Sequence, residues 1–163
     1  MFYTRFNTLQ GEMLAFSEAD QLTGLYFSNQ KKQPYLPSYQ FVTLEATSAT
    51  TALFQETRKQ VNAYFDLALK QFDLPLNAKG SEFQQQVWQQ LTSIPYGETV
   101  TYKWMADQLK KPKAVRAIAQ AIGKNPLILC NPCHRVIATS GKLAGYSAGI
   151  EKKAFLLHLE SSI

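Results

Sequence analysis

The spacing of apolar residues changes near residue 80, and this change constrains the fold more than any other feature of the chain. Before it, short apolar and aromatic runs lie between turn-forming residues such as Gly11 and Gly24, which is typical of strands. After it, apolar residues recur at intervals of three and four, which is typical of helices. The predicted strands cover Met1–Phe6, Met13–Phe16 and Leu22–Phe27.

The first half also contains one predicted helix. Four apolar residues are separated by seven, four and three positions, which places their side chains on one helical face. This helix is expected to run from about Ser48 to Leu69. The four residues are Phe54, Val61, Phe65 and Ala68.

The length of the chain, 163 residues, is enough for one sizeable core or for two small domains. Residues 74–80 look like a crossing between two parts, so we place the boundary after residue 79. The expected fold class is α/β. A small α/β domain covers residues 1–79, and a mainly helical domain covers residues 80–163.

Composition narrows the class of protein. With 45% hydrophobic and 18% charged residues, the chain is typical of an ordered globular protein. It has no run near the ~20 apolar residues of a membrane helix, and no signal-peptide core follows Met1. Two cysteines do not make a disulfide framework, which favours a reducing, intracellular setting. We therefore expect a cytoplasmic protein, associated with the nucleoid if the source is bacterial.

The net charge of +5 lies entirely in the second half. Residues 1–79 contain seven Lys or Arg and seven Asp or Glu, whereas residues 80–163 contain ten and five. Such an asymmetry indicates a polyanionic partner, above all nucleic acid, for the second half. A solvated basic surface without a partner is the alternative.

The second half begins with three predicted helices. Ser81 and Gln84 match a capping box at the start of the first, and Thr101 can cap a short second helix. Pro112 suits the first turn of the third helix, and Gly123 ends it. A final helix is expected over residues 150–163, with three residues available to the core: Ala154, Phe155 and Leu157.

The third of these helices has a polar outer side. Lys113, Arg116 and Gln120 share that side at intervals of three and four. Together with the short helix and the tight turn before it, this pattern predicts a helix-turn-helix, with an ordinary surface helix as the alternative. Small residues lie beside the polar ones, and apolar residues face inward. The small residues are Ala114, Ala117 and Ala121, and the apolar ones are Val115, Ile118 and Ile122.

The run Pro132–Val136 contains a candidate nucleophile, Cys133. A cysteine attacks as a thiolate, so it needs a nearby proton acceptor or positive charge. His134 follows at once, and since adjacent side chains diverge, we expect it to reach the thiol through a bridging water. Glu160 is a candidate to orient the imidazole, by the logic of a catalytic triad.

These residues resemble the active-site signature of the O6-alkylguanine-DNA alkyltransferases. The resemblance continues in order from about Gly97 to Glu160, whereas residues 1–79 carry no comparable motif. The matching segments resemble the family's active-site tyrosine, the start of its recognition helix, its hinge asparagine, its nucleophile, its substrate loop and its relay carboxylate. They are Thr99–Tyr102, Pro112–Arg116, Gly123–Pro126, Pro132–Val136, Tyr146–Gly149 and Glu160.

The resemblance implies an activity. An alkyl group would move from O6-alkylguanine in DNA, and from O4-alkylthymine, onto Cys133, irreversibly and once per molecule. Tyr102 would give a hydrogen bond or a proton to the leaving guanine, and the backbone N–H of Ser147 would donate to O6. Asn125 would pin the turn that carries the nucleophile. The catalytic residues implied are Cys133, His134, Glu160, Tyr102 and Asn125.

The resemblance also implies a partner and a way of binding it. A monomer would bind double-stranded DNA through the minor groove and flip the lesion out of the stack, where Arg116 would fill the gap. No cofactor or metal is expected, and the fold of residues 1–79 would be ribonuclease-H-like. The implied DNA contacts are Arg116, Ala117, Lys113, Gln120 and Arg135. The implied substrate pocket consists of Tyr146, Ser147, Ala148 and Val136.

Three features depart from the common family pattern. Asn131 is polar where an apolar residue usually precedes the proline, so the surroundings of Cys133 are expected to differ. Ala148 replaces a frequent glycine and is expected to narrow the pocket. Some members bind zinc in the N-terminal domain through Cys and His, and residues 1–79 contain neither.

Two functions of other classes are alternatives. Cys130 and Cys133 have the C-x-x-C spacing of thiol–disulfide oxidoreductases, although that motif normally opens a helix after a strand. A non-catalytic helix-turn-helix regulator would explain the basic side of the third helix, but would give Cys133 and His134 no purpose.

Overall fold

The computed structural model describes residues 1–143 and 145–161 and has the mixed α/β class that the sequence predicts. The chain forms two compact units, Met1–Ala78 and Lys79–Ile163. The division falls one residue before the boundary placed from the sequence. Within the part of the chain that is described, no helix combines the length and apolarity needed to cross a membrane.

The first unit contains a four-stranded sheet with the order β3-β2-β1-β4. The first three strands pair antiparallel through short turns, and β4 lies parallel to β1 at the edge. The three strands predicted from the sequence are confirmed, each slightly longer than expected. The strands are β1 (Phe2–Thr8), β2 (Gly11–Glu18), β3 (Gln21–Phe27) and β4 (Gln40–Phe41).

Gly24 is not the turn residue that the sequence suggests, because it lies inside β3. A Cβ atom there would come within 2.7 Å of the Tyr26 ring and 3.1 Å of the Phe16 ring. The glycine therefore provides room for aromatic packing. The turn before β3 is made by Ala19 and Asp20, both with positive φ, as a tight two-residue hairpin requires.

Helix α1 (Ala49–Phe65) packs against β1 and β2. Its start agrees with the sequence, since the Ser48 hydroxyl accepts a hydrogen bond from the Thr51 N–H at 3.0 Å. Its end does not agree. Ala68 lies beyond the helix and is exposed, because the chain leaves helical geometry at Leu67 with φ +62°.

The second unit is mainly helical. Helices α2, α3 and α4 pack on one another, and Trp88 Nε1 donates a hydrogen bond to the Ala121 carbonyl at 2.8 Å. Two short strands pair in parallel. The elements are α2 (Glu82–Leu91), β5 (Val100–Thr101), α3 (Tyr102–Gln108), α4 (Val115–Gly123), β6 (Val136–Ile137) and α5 (Ile150–Ser161).

Both predicted helix caps of this unit are confirmed. Ser81 and Gln84 form a reciprocal capping box, with bonds of 3.2 Å and 3.0 Å between side chain and backbone. The Thr101 hydroxyl accepts from the Trp104 N–H at 3.0 Å. Two backbone donors at the start of α2 and one at the start of α3 are thereby satisfied by local side chains.

Two expectations for α4 are wrong. Pro112 and Lys113 lie in a turn before the helix, which begins only at Val115. Ala121 is 3% exposed, so it is not on the outer side, and its backbone carbonyl accepts the bond from Trp88 of α2.

The final helix also differs from the prediction. Ala154 is exposed, whereas Lys153 and Leu156 are fully buried. The predicted helix extends to Ile163, but Ser162 and Ile163 lie outside the described residues.

Candidate active site

Cys133 begins a single 3-10 turn, Cys133–Arg135, that leads into β6. The cysteine is only 4% exposed. Asn125 fixes the preceding loop, since its Nδ2 donates to the Asn131 carbonyl at 2.8 Å and its Oδ1 accepts from the Leu127 N–H at 3.0 Å. These bonds tie the Asn125 amide to backbone groups of the loop before Cys133.

His134 and Glu160 form a buried pair, with Nε2 and Oε1 2.7 Å apart and both side chains fully shielded from solvent. The guanidinium of Arg135 binds both carboxylate oxygens, with Nε 3.0 Å from Oε2 and Nη2 2.8 Å from Oε1. Its Nη1 donates to the Ile94 carbonyl at 2.7 Å, and the Gly97 N–H donates to Glu160 Oε2 at 3.3 Å. One carboxylate therefore orients the imidazole and is itself held by a cation and a backbone donor.

The protonation of this pair follows from its surroundings. Burial alone would raise the pKa of Glu160, but hydrogen bonds from His134 and Arg135 outweigh burial and lower the pKa to about 2. Burial lowers the pKa of His134 below its ordinary value, against the opposing effect of Glu160. At neutral pH the site therefore contains an ionised carboxylate and a neutral imidazole, which is able to accept a proton.

The thiol of Cys133 is held largely as a thiol at rest. Burial raises its pKa, although the Asn125 side chain, the charge of Lys153 and nearby backbone N–H groups act in the opposite direction. These groups stabilise the thiolate once it forms. A neutral histidine beside a protonated thiol suits a mechanism in which the proton leaves as the sulfur attacks.

Lys153 belongs to the surroundings of Cys133, although it was not predicted from the sequence. It is fully buried on α5, and its Nζ donates to the Val136 carbonyl at 2.6 Å and approaches the Gly145 carbonyl at 3.5 Å. Burial lowers its pKa, and the Cys133 thiolate acts in the opposite direction. The available signal was its spacing from Leu156 and Glu160, since residues three and seven positions apart share a helical face.

Tyr102 lies at the start of α3 and is partly buried. Burial raises its pKa, and the nearby charge of Cys133 raises it further, so the phenol remains a donor at neutral pH. The Lys153 ammonium lies 6.0 Å from the centre of its ring. The structure thus brings Tyr102, Cys133 and Lys153 together around the sulfur.

The residues expected in the substrate pocket lie in two segments, β6 and the turn before α5. Val136 is fully buried in β6, and its carbonyl binds the ammonium. Tyr146, Ser147 and Ala148 form a partly buried turn directly before α5, closed by a bond from the Gly149 N–H to the Tyr146 carbonyl at 2.9 Å.

Arg135 is not placed to contact DNA, and that expectation is wrong. The residue is 7% exposed, and its guanidinium is bound to Glu160 and to the Ile94 carbonyl. The other expected DNA contacts are solvent-exposed on α4 or in the turn before it. They are Lys113, Arg116, Ala117 and Gln120.

Cys130 does not behave as the second half of a redox pair. Both cysteines are free, and burial raises the pKa of Cys130 to about 12. Thiol–disulfide oxidoreductases use a cysteine of depressed pKa instead. No group of three or more His, Cys, Asp or Glu residues within the described ranges 1–143 and 145–161 is arranged to hold a metal ion.

A shielded thiol beside a carboxylate-oriented histidine defines a protein with a cysteine nucleophile, in the class that transfers a group to sulfur. Comparison with known proteins identifies the group of proteins more closely. Residues 82–162 match the family model described as 6-O-methylguanine DNA methyltransferase, DNA binding domain.

Relatives of known name agree with this match over nearly the whole chain. The methylated-DNA–protein-cysteine methyltransferase of Methanosarcina acetivorans is 40% identical over 162 residues, covering 99% of both chains. The constitutive enzyme of that name from Bacillus subtilis is 39% identical, covering 98% of this chain and 94% of the relative. The crystal structure of Mycobacterium tuberculosis OGT in complex with DNA has a TM-score of 0.88 at 38% identity, covering 99% of this chain and 94% of that one. The chain belongs to the methylated-DNA–protein-cysteine methyltransferase family.

Proposed function

We propose that this protein repairs DNA by moving the alkyl group of O6-alkylguanine, and of O4-alkylthymine, onto the sulfur of Cys133. The observation that carries the proposal is the buried thiol followed directly by His134, whose imidazole is bound to Glu160 at 2.7 Å. The family membership supports DNA as the substrate, and the excess positive charge of residues 80–163 agrees with it.

The proton of the thiol leaves through His134. The Nδ1 atom of the imidazole is buried, and none of the described residues bonds to it. A buried ring nitrogen needs a polar partner, so we assign a water between it and the Cys133 sulfur. The proton passes through this water to Nδ1, and Glu160 stabilises the resulting imidazolium through Nε2–H.

The sulfur then attacks the alkyl carbon, an S–C bond forms, and the C–O6 bond breaks. The electron pair of that bond stays on the guanine, where negative charge develops. Tyr102 supplies a hydrogen bond or a proton to the base, and the backbone N–H of Ser147 donates to O6. Lys153 and Asn125 stabilise the sulfur while it carries charge, as their effects on the Cys133 pKa indicate.

The DNA is double-stranded and binds through its minor groove to α4. Helices α3 and α4, joined by the turn at residues 109–114, form the helix-turn-helix, and Arg116 enters the duplex to replace the flipped base. Ala117 permits close approach, and Lys113 and Gln120 contact the backbone. The protein acts as a monomer without a cofactor. In the first unit, the strand order with β4 parallel to β1 supports a ribonuclease-H-like fold.

Stoichiometry tests this function. An alkyl thioether has no carbonyl for water to attack, so the reaction cannot be reversed by hydrolysis. The protein is incubated with excess duplex containing labelled O6-methylguanine, and label on the Cys133 peptide is counted. We expect a plateau at one label per protein and none in Cys133→Ser, which still binds DNA. Continued turnover, or label elsewhere, would contradict the proposal.

A further inference from the structure

The buried polar side chain of Asn131 is connected to the reacting thiol through a second asparagine. Asn131 is 5% exposed, and its Nδ2 donates to Asn125 Oδ1 at 3.2 Å. The Nδ2 atom of Asn125 donates to the Asn131 carbonyl at 2.8 Å, which places it in the turn of Cys133, and this amide acts to lower the pKa of the thiol, as a donor near the sulfur does. The backbone of Asn131 belongs to the same network, since its carbonyl accepts from the Cys133 N–H at 2.7 Å.

The amide of Asn125 can be turned over without a change of shape, so its orientation must be fixed by bonds. In the observed orientation Oδ1 accepts from two donors, the Leu127 N–H at 3.0 Å and Asn131 Nδ2 at 3.2 Å. Turning the amide over exchanges Oδ1 and Nδ2. The NH2 group would then face the Leu127 N–H and Asn131 Nδ2, which are also donors, and the oxygen would face Cys133. A carbonyl oxygen cannot donate to a thiolate, so only the observed orientation stabilises the sulfur anion.

We propose that Asn131 is a positioning residue for the transfer reaction, which locks the Asn125 amide in the orientation that presents its Nδ2 donor to the Cys133 sulfur. The inference rests on the proposed role of Cys133 as the alkyl acceptor. Leu127 supplies one of the two fixing donors from the backbone, and Asn131 supplies the other from a side chain. Turning the amide over forfeits both bonds to Oδ1 together with the 2.8 Å bond from Nδ2 to the Asn131 carbonyl, so the Asn131 side chain adds to the cost of the wrong orientation.

Two substitutions separate the donor of Asn131 from its size. Asn131→Leu fills a similar space without a donor. Asn131→Asp keeps the shape but presents an acceptor, which repels Oδ1 of Asn125 and attracts its Nδ2 in the overturned orientation. Each variant is reacted with the free base O6-benzylguanine across the neutral and alkaline range, with benzylation of Cys133 followed by mass spectrometry. Alkylation of Cys133 by iodoacetamide over the same range gives a second readout that requires no nucleobase.

The expected result is an alkaline shift of the rate–pH profile in both variants and with both reagents. For Asn131→Leu the rate at neutral pH should fall roughly three- to tenfold, the effect of weakening one hydrogen bond to a charged group. The fall should be larger for Asn131→Asp. At alkaline pH, where the thiol ionises without help, the rate of Asn131→Leu should approach that of the parent.

A matched control removes a buried amide that has no connection to Cys133. Gln60 in the first unit bonds the backbone of Asp73 through both amide atoms at 2.8 Å. Gln60→Leu should lower the unfolding temperature and leave the rate–pH profile unchanged. If both Asn131 variants behave like this control, Asn131 is only structural and the inference is wrong. Failure of the parent to take the methyl group of duplex O6-methylguanine on Cys133 would instead overturn the proposed function.

Discussion

Glu160 illustrates how much of the site can be predicted at the scale of single residues. The Cys133–His134 pair and the distant carboxylate follow from the chemistry of a thiol nucleophile, and the structure places Glu160 2.7 Å from His134. The burial of the Arg135 side chain was not predicted, because its position next to His134 in the sequence does not show whether it points into the protein or towards solvent. Lys153 was missed since lysine is almost never fully buried without a partner.

Replacing Glu160 with Gln should harm both stability and transfer. The guanidinium of Arg135 would keep its buried position without a counter-charge, at a cost of about 3–5 kcal/mol of unfolding free energy. The imidazolium of His134 would lose its anion, and we expect the rate with free O6-benzylguanine to fall roughly ten- to a thousandfold. Urea unfolding and single-turnover kinetics measure the two effects. Glu151→Gln, an exposed change on the same helix, serves as the control and should alter neither by much.

Acid should destabilise the protein in two stages. Both His134 and Glu160 have pKa values lowered by folding, so each stabilises the native state above its unfolded pKa and loses that effect as pH falls. Losses therefore begin below about pH 6.5, the ordinary pKa of histidine. For Glu160 the window runs from 4.5 to about 2, with a total on the order of 3 kcal/mol. Urea midpoints across this range test the expectation, and a curve as steep in Glu160→Gln as in the parent would contradict it.

At the scale of elements, features that depend on nearby residues were predicted correctly, whereas features that depend on packing between helices were not. Ser81, Gln84 and Thr101 cap their helices as expected, because a cap depends only on residues three or four positions away. The start of α4 was misplaced since Pro112 is equally suited to a turn. Ala121 was assigned to the wrong side because a residue of its size fits either side of a helix, and only its burial in the folded unit distinguishes them.

The exposed position of Arg116 on α4 permits a test that separates base flipping from chemistry. If Arg116 only replaces the flipped base, Arg116→Ala should slow repair of duplex O6-methylguanine by roughly 5- to 150-fold, from the loss of about 1–3 kcal/mol of stacking. Reaction with free O6-benzylguanine should be nearly normal. Arg58→Ala, which removes an equally charged exposed residue from α1, controls for charge. Equal losses on both substrates would mean that Arg116 shapes the pocket instead.

At the scale of the whole molecule, the change of apolar spacing near residue 80 predicted two units that differ in secondary structure. The structure divides at Ala78 and Lys79, with the sheet in the first unit and the helices α2 to α5 in the second. The short strands β5 and β6 were not predicted, because two residues are too few to show a period. Their parallel pairing brings Val100 beside Val136.

The guanidinium of Arg135 joins three segments of the chain: the turn after α2 through the Ile94 carbonyl, its own turn, and the last turn of α5 through Glu160. Opening any one of them breaks a buried bond to this one guanidinium and weakens its hold on the other two, so their backbone amides should open as one cooperative unit. Native-state hydrogen exchange should show equal opening free energies at Leu91, Arg135 and Leu156, and unequal values would contradict this. The groups around a thiol held in such a unit are already in place before DNA binds. The time taken by repair would then be spent in finding the damaged base and extruding it, not in preparing the protein.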